Sequence, residues 1–214
     1  GLSLGEVASG NVILAFDKWF KEQFMAPGAE WTGESIRNSW EDIIYSMNQK
    51  IKEYGASQGV EMGTTITAVL FLKDKYYAIH VGDSRLYELS DGCRQITEDQ
   101  TLIARELAQG IITKEQALTD SRRNVLLQCI GVTQKLLPAF YSGNINGEAA
   151  YLVCSDGFRH VITPDEIYQL CRPLQNLTQK VMQVNLTSLV ERVKQRGERD
   201  NISAVLIQVG RETC

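Results

Sequence analysis

Three aspartates mark the boundaries of apolar runs in this 214-residue chain. Asp83 follows YYAIHV and a glycine, Asp156 follows YLVCS, and Asp200 precedes NISAVLIQV. If the runs beside Asp156 and Asp200 form neighbouring antiparallel strands, the end of one and the start of the other meet at one sheet edge. The two carboxylates would then converge although 44 positions separate them. Carboxylates gathered without a Lys partner repel each other unless a cation lies between them. Hard oxygen ligands favour Mg²⁺ or Mn²⁺ over Zn²⁺.

Each aspartate also has a plain structural explanation. Asp before Gly or Asn is a common turn former, because its side chain accepts a hydrogen bond from the backbone two residues on. For any one of the three taken singly, turn formation is the better interpretation. Their joint placement at strand ends leaves turn formation and metal binding evenly balanced on spacing alone.

Hydrophobic spacing predicts the elements that would position these residues. Helical periodicity predicts helices over about 5–24 and 34–54, the second capped by Gly55. Strands are predicted over TTITAVLFL, KYYAIHV and RLYELS, followed by a polar insertion at about 97–131 in which Thr113 begins a short helix. Two more strands, AAYLVCS and ISAVLIQV, enclose a helix that begins at Thr163 and a long helix at about 177–196. This alternation predicts one α+β domain over 1–214, with sheets inside and helices outside.

Composition excludes several classes of protein. The net charge of −4 argues against a nucleic-acid partner, which would normally require a basic face. No apolar stretch approaches the ~20 residues that span a bilayer, so no membrane segment is expected. The five cysteines are scattered and contain no CxxC pair, which favours reduced thiols and a cytoplasmic location over disulfides or a zinc site.

Several segments together resemble one family. HVGDSRLYEL, CSDGFRHVITPDEI and RDNISAVLIQV resemble three consecutive signature motifs of the metal-dependent protein Ser/Thr phosphatases of type 2C. MGTTITAVL resembles the Gly-Thr-Thr strand of that family, and the stretch from ITEDQTLIAREL to NVLLQCIG resembles the flap of its bacterial members. GLSLGEVAS is similar to the segment after the family's Asp-Gly-x-Gly-Gly motif, with Gly1 as its last glycine. The resemblance extends, in order, over essentially the whole chain.

The resemblance implies a fold and an activity. The fold would be a four-layer α-β-β-α sandwich of antiparallel sheets flanked by helix pairs, with the flap at about 97–131. Two Mn²⁺ or Mg²⁺ ions would lie at one edge, with a third ion in bacterial members. Water bridging the metals would attack the phosphorus of phosphoserine or phosphothreonine in line. The expected substrates are phosphorylated proteins, the targets of a bacterial Ser/Thr kinase.

The family's functional residues carry over by position. Asp156 and Asp200 would be the catalytic metal ligands, Asp99 would bind the third ion, and Gly1 would belong to the metal site. Supporting roles would fall to Asn201, Gly157, Asp83 and Ser84, with the Gly-Asp-Ser-Arg turn shaping the floor of the site. Of the two histidines, His80 is expected in the core and His160 at the surface.

The chain also departs from the family's pattern. The aspartate that binds the first metal would lie four residues before Gly1, so this chain is expected to bind Mn²⁺ weakly and to hydrolyse phosphate esters poorly. Strands lost with that segment would leave sheet edges unpaired and invite dimerisation. Where the flap usually carries Asp-His-Ser/Thr, this chain has Asp99-Gln100-Thr101.

A second functional class stays open. A catalytically impaired pseudophosphatase would keep the fold and act as a phosphoprotein-binding module. The retention of Asp99, Asp156 and Asp200 argues against this alternative, because a decayed site has little reason to keep three ligands.

Overall fold

The computed structural model describes residues 4–145, 147–173 and 178–210. They fall into two compact units. The first contains the described residues up to Phe71, together with Tyr77–Gly82 and Asp99–Ser142. The second contains Leu72–Tyr76, Asp83–Glu98 and the described residues from Gly143 onward. Helices accompany two sheets, and the predicted α+β class is confirmed. The assignment of the whole chain to one domain stays a prediction.

Two long helices open the first unit, as helical spacing predicts. Helix α1 spans Gly5–Trp19 and continues as a single π-helical segment, Phe20–Phe24. Helix α2 spans Gly33–Ser57 and begins at a reciprocal cap, in which the Ser35 N–H donates to the Thr32 hydroxyl at 3.1 Å. The indole rings of Trp19 and Trp40 join the two helices edge to face, with centroids 5.7 Å apart.

Gly55 corrects one sequence expectation. It does not cap α2 but lies buried inside its last turn, and the helix continues to Ser57. A Cβ at this position would lie 2.8 Å from the backbone oxygen of Val60. The glycine is therefore needed where the following chain folds back against the helix, not where the helix ends.

Seven strands in the described residues form two sheets. The first has the order β1-β2-β5 and consists of β1 (Ile66–Leu72), β2 (Lys75–Val81) and β5 (Ala139–Asn144). The second has the order β4-β3-β6-β7 and consists of β3 (Arg85–Leu89), β4 (Cys93–Gln95), β6 (Ala149–Cys154) and β7 (Ala204–Val209). Strands β4 and β5 were not predicted, because one has three residues and the other, AFYSGN, ends in residues that disfavour strands.

Five further helices complete the described chain. Within the predicted insertion, α3 (Leu102–Ala108) follows a Thr101 cap, and α4 (Lys114–Thr119) begins at the capping box predicted at Thr113. Helix α5 is a single turn, Asp156–Arg159. Helix α6 (Pro164–Cys171) begins at the capping box predicted at Thr163, and α7 spans Gln179–Gln195.

The core of the second unit holds α5 in place. Leu89 of β3 and Leu152 of β6 are fully buried in one hydrophobic cluster. Helices α5, α6 and α7 contribute Phe158, Ile167 and Leu189 to it. Phe158 belongs to α5 and is 0% exposed. Burial of a side chain of this size contributes about 1.5–3 kcal/mol, enough to anchor a helix of one turn. The residue two positions earlier, Asp156, is thereby fixed at the end of β6.

Candidate metal centre

Asp156 and Asp200 meet at one edge of the second sheet. Strands β6 and β7 pair antiparallel, with Cys154 opposite Ala204, so the condition under which the two aspartates were expected to converge is met. The pairing extends beyond the strands, because the Ser155 N–H donates to the Ser203 oxygen at 3.0 Å. The Ser155 hydroxyl donates to the Asn201 oxygen at 3.1 Å. Asp156 follows and Asp200 precedes these contacts, and both therefore lie at the same edge.

Gly157 permits the close approach of the two segments. A Cβ on Gly157 would lie 2.6 Å from the backbone oxygen of Asn201 and 3.2 Å from the Cβ of Asp200. Any larger residue would push the segment that carries Asp200 away from the one that carries Asp156. The Ser-Asp-Gly sequence thus has a steric reason in addition to turn formation.

The backbone orients both carboxylates in the same way. Oδ1 of Asp156 accepts a hydrogen bond from the Gly157 N–H at 2.8 Å, and Oδ1 of Asp200 accepts one from the Asn201 N–H at 2.7 Å. Each Oδ2 therefore points away from its own backbone bond. The Asp156 side chain is 25% exposed and Asp200 is exposed, so both can be reached from solvent. A pair of carboxylates without thiolate ligands fits a hard divalent cation such as Mg²⁺ or Mn²⁺.

Two further ionisable residues, His160 and Glu198, lie beside these aspartates, and sequence reasoning did not assign them to the site. The His160 side chain is only 11% exposed, so its expected surface position is wrong. Its Nδ1 lies 3.2 Å from Oε2 of Glu198, and its Nε2 lies 3.8 Å from Oδ2 of Asp156. The signal available in the sequence was spacing: His160 follows Asp156 by one helical turn, and Glu198 precedes Asp200 by two positions.

Glu198 also bonds the backbone of the segment that carries Asp200. Its Oε1 accepts hydrogen bonds from the N–H groups of Arg199 at 2.8 Å and Asp200 at 2.9 Å. These bonds, led by the one from Asp200, hold the pKa of Glu198 below its ordinary value. The carboxylate is therefore ionised at neutral pH and can only accept hydrogen bonds.

Asp83 makes a contact typical of a structural residue. It is 8% exposed, and its Oδ2 lies 3.7 Å from the guanidinium of Arg159 at the end of α5. The same guanidinium donates to the Asp83 backbone oxygen at 3.2 Å. Ser84 is half-buried and directly precedes β3. The supporting roles of Asp83 and Ser84 stay predictions.

Gly82, in the first unit, organises the start of the Gly-Asp-Ser-Arg turn. Its φ of 116° lies in a region that side chains rarely adopt. Its N–H donates to the Gln100 side chain at 2.9 Å, and its oxygen accepts from the Gln100 N–H at 2.8 Å. Nε2 of His80, which is 0% exposed, lies 2.9 Å from the same oxygen, so the expected core position of His80 is confirmed. Gln100 therefore holds Gly82 through two hydrogen bonds, one from its backbone and one to its side chain.

The structure does not test the parts of the two remaining predicted ligands, Asp99 and Gly1. Asp99 is half-buried in the first unit, between β4 and α3, whereas Asp156 and Asp200 belong to the second unit. Gly1 lies outside the described residues. Within the described ranges, no group of three or more His, Cys, Asp or Glu side chains is arranged to hold a metal ion. The parts of Asp99 and Gly1 in a metal site stay predictions.

Comparison with known proteins places this geometry in context. No protein-family model matches the chain. The serine/threonine phosphatase stp of Listeria innocua is 29% identical over 211 residues, 97% of this chain and 80% of the relative. The crystal structure of the serine/threonine phosphatase Stp1 from Staphylococcus aureus shares the fold with a TM-score of 0.82 at 23% identity, covering 96% of this chain and 78% of that one. The catalytic domain of the phosphatase PstP, solved with two manganese ions, has a TM-score of 0.75 at 26% identity and covers 95% and 80%.

The two sheets and their helices have the fold of these solved phosphatase structures. The relatives that match most of this chain are named serine/threonine phosphatase stp and protein phosphatase PhpP, so the resemblance indicated by its sequence motifs is confirmed. No helix in the described part of the chain is both long and apolar enough to cross a membrane.

Proposed function

We propose that this protein hydrolyses phosphoserine and phosphothreonine in other proteins and depends on Mn²⁺ or Mg²⁺ to do so. The observation that carries the proposal is the convergence of Asp156 and Asp200 across the β6–β7 pair. When bound there, a divalent cation supplies a Lewis acid that neutralises phosphoryl oxygens and acidifies water. Asp156 and Asp200 would hold it, each through the carboxylate oxygen that its own backbone bond leaves available.

The residues around the pair supply rigidity. Ser155 bonds the segment 201–203 through both its backbone and its hydroxyl, and Gly157 lets that segment approach. A fixed pair of carboxylates avoids the cost of ordering two flexible side chains when the cation binds. Asn201 contributes through its backbone, and its carbonyl position is set by the Ser155 hydroxyl.

The direct test is hydrolysis of a phosphothreonine peptide in a Mn²⁺ titration. We expect Asp156→Ala and Asp200→Ala to lower kcat/KM by at least about 10²-fold. Each variant removes a carboxylate that would hold the cation, and a bound cation stabilises the transition state by several kcal/mol. Asp91→Ala is the matched control, since Asp91 is an exposed aspartate in the turn before β4. Equal loss in all three variants, or full activity in the first two, would contradict the assignment.

One observation favours the phosphoprotein-binding module as a second candidate. The described residues contain no group of three ligands for a metal, and two carboxylates form a sparse site. A module would bind the phosphopeptide without turnover at any Mn²⁺ concentration. Fluorescence anisotropy of the labelled peptide, measured beside the hydrolysis assay, separates the two functions.

The proposed substrates are phosphoproteins made by a bacterial Ser/Thr kinase, as the similarity to stp and PstP suggests.

We also propose self-association through an exposed strand edge. Strand β7 is the outer strand of its sheet, and Val205 on it is 57% exposed. Such edges readily pair with a second strand. Sedimentation velocity of wild type and Val205→Lys tests this, because a charge on an edge strand opposes pairing; identical sedimentation of two monomers would contradict it.

A further inference from the structure

The segment that carries Asp200 leaves helix α7 in a defined direction. Gly197, with φ of 86°, follows the cap residue Arg196. Its N–H donates to the Lys194 oxygen at 2.9 Å, and the Glu198 N–H donates to the Val193 oxygen at 3.4 Å. This pair of bonds is the Schellman arrangement, in which a left-handed glycine ends the helix and turns the chain. The turn places the Glu198 side chain back toward α5.

Glu198 uses its two oxygens for two different tasks. Oε1 accepts the Arg199 and Asp200 N–H groups, so it shapes the backbone from which the Asp200 carboxylate projects. Oε2 lies 3.2 Å from Nδ1 of His160, and both side chains are nearly buried, at 12% and 11% exposed. Since Oε1 already accepts two backbone N–H groups, Nδ1 of His160 is the hydrogen-bond partner that faces Oε2.

His160 extends the link to the other aspartate. It caps the end of α5, and its N–H donates to the Asp156 oxygen at 3.1 Å. Residues one helical turn apart lie on the same face, and Nε2 of His160 accordingly lies 3.8 Å from Oδ2 of Asp156. One imidazole thus spans the space between the Asp156 carboxylate and the carboxylate that shapes the Asp200 segment.

We propose that His160 and Glu198 form a positioning pair that fixes the Asp156 and Asp200 carboxylates relative to each other for one divalent cation. The inference rests on the proposed function and adds two residues to its site. Neither residue is proposed to bind the cation or to react. Outer residues that hydrogen-bond metal-binding groups typically change metal affinity by 10–100-fold when they are lost.

Four variants separate this role from general stability. His160→Leu keeps bulk but loses the donor, whereas His160→Asn keeps an N–H donor near the place of Nδ1. Glu198→Gln keeps its volume and an acceptor for the two backbone N–H groups, but turns an NH₂ group toward the His160 donor. Glu191→Gln is the charge-matched control, because Glu191 is 53% exposed on α7 and pairs only locally with Lys194.

The measurement is Mn²⁺ affinity from the electron paramagnetic resonance signal of free Mn²⁺, on proteins whose folding is checked by thermal melting. We expect His160→Leu and Glu198→Gln to weaken Mn²⁺ binding about 10-fold, and His160→Asn and Glu191→Gln to stay close to wild type. Hydrogen exchange of metal-free protein provides a second readout, and the amides of Arg199 and Asp200 should exchange faster in His160→Leu.

The outcomes distinguish the two levels of the argument. Wild-type affinity in both His160→Leu and Glu198→Gln, with binding abolished by Asp156→Ala, would overturn the positioning pair and leave the proposed function intact. Equal loss of Mn²⁺ affinity in His160→Asn and His160→Leu would also overturn it, because the N–H donor at the Nδ1 position would then make no contribution to Mn²⁺ binding. A wild-type protein that binds no Mn²⁺ would overturn the proposed function and the positioning pair together.

Discussion

A methyl group added at Gly157 tests the packing of the β6–β7 edge directly. In Gly157→Ala the new Cβ would lie 2.6 Å from the Asn201 oxygen, where carbon contacts normally need about 3.5 Å. The Asn201 oxygen cannot retreat freely, since it accepts the Ser155 hydroxyl hydrogen at a donor–acceptor distance of 3.1 Å. Relief therefore requires the segment that carries Asp200 to move by about 1 Å, the difference between these two separations.

The expected cost follows from that displacement. Overpacking of a tight site typically costs about 1–3 kcal/mol. For a chain of this length each kcal/mol lowers the melting temperature by about 2–4 °C, so Gly157→Ala should melt roughly 2–12 °C lower. The same displacement separates the two carboxylates, and Mn²⁺ affinity should therefore fall as well.

Differential scanning calorimetry without metal, followed by a Mn²⁺ titration, measures both effects. Gly92→Ala is the matched control, because a Cβ at Gly92 would meet nothing within 4 Å. Gly157→Ala could instead melt at the same temperature as Gly92→Ala and bind Mn²⁺ with wild-type affinity. The two segments would then not be in close contact, and the steric role of Gly157 would be wrong.

Three further changes have expected outcomes of different kinds. Gly10→Ala, inside α1 with open space around it, should raise the free energy of unfolding by about 0.5–1 kcal/mol in a urea titration, since alanine loses less backbone entropy in a helix. Arg159→Met should lower it by about 3 kcal/mol, because the guanidinium is removed from the nearly buried Asp83 carboxylate; no change would contradict the ion pair. Two arginines of the α7 region, led by Arg196, hold the pKa of Glu166 well below its ordinary value. Its stabilisation is therefore present at neutral pH and lost as pH falls through the folded-state pKa, so the stability gap between wild type and Glu166→Gln should begin to narrow below about pH 4 and keep narrowing as the pH falls further. A gap of unchanged size from neutral pH into strong acid would contradict this cause.

Local signals predicted the elements whose reasons are local. Thr113 and Thr163 begin helices as expected, because a capping box is completed by the residue three positions on. The apolar stripes of α1 and α2 identified both helices, since each turn repeats the same contact. The role of Gly55 was predicted wrongly because it depends on a contact outside the helix. The chain folds back so that Val60 lies against Gly55, and the hydrophobic spacing of α2 does not show this.

The candidate site divides along the same line. Residue type and placement at strand ends were enough to single out Asp156 and Asp200 and to predict that they converge, because strand direction alone brings those ends together. The 3.2 Å contact between His160 and Glu198, 38 positions apart, was not predictable in this way. It depends on the exact pairing of β6 with β7, on the single turn of α5 and on the left-handed turn at Gly197 acting together. Hydrophobic periodicity and helix capping depend on a few neighbouring residues, so the sequence alone predicts them. A contact between side chains that are distant in sequence depends on every element between them, so only the tertiary structure decides it.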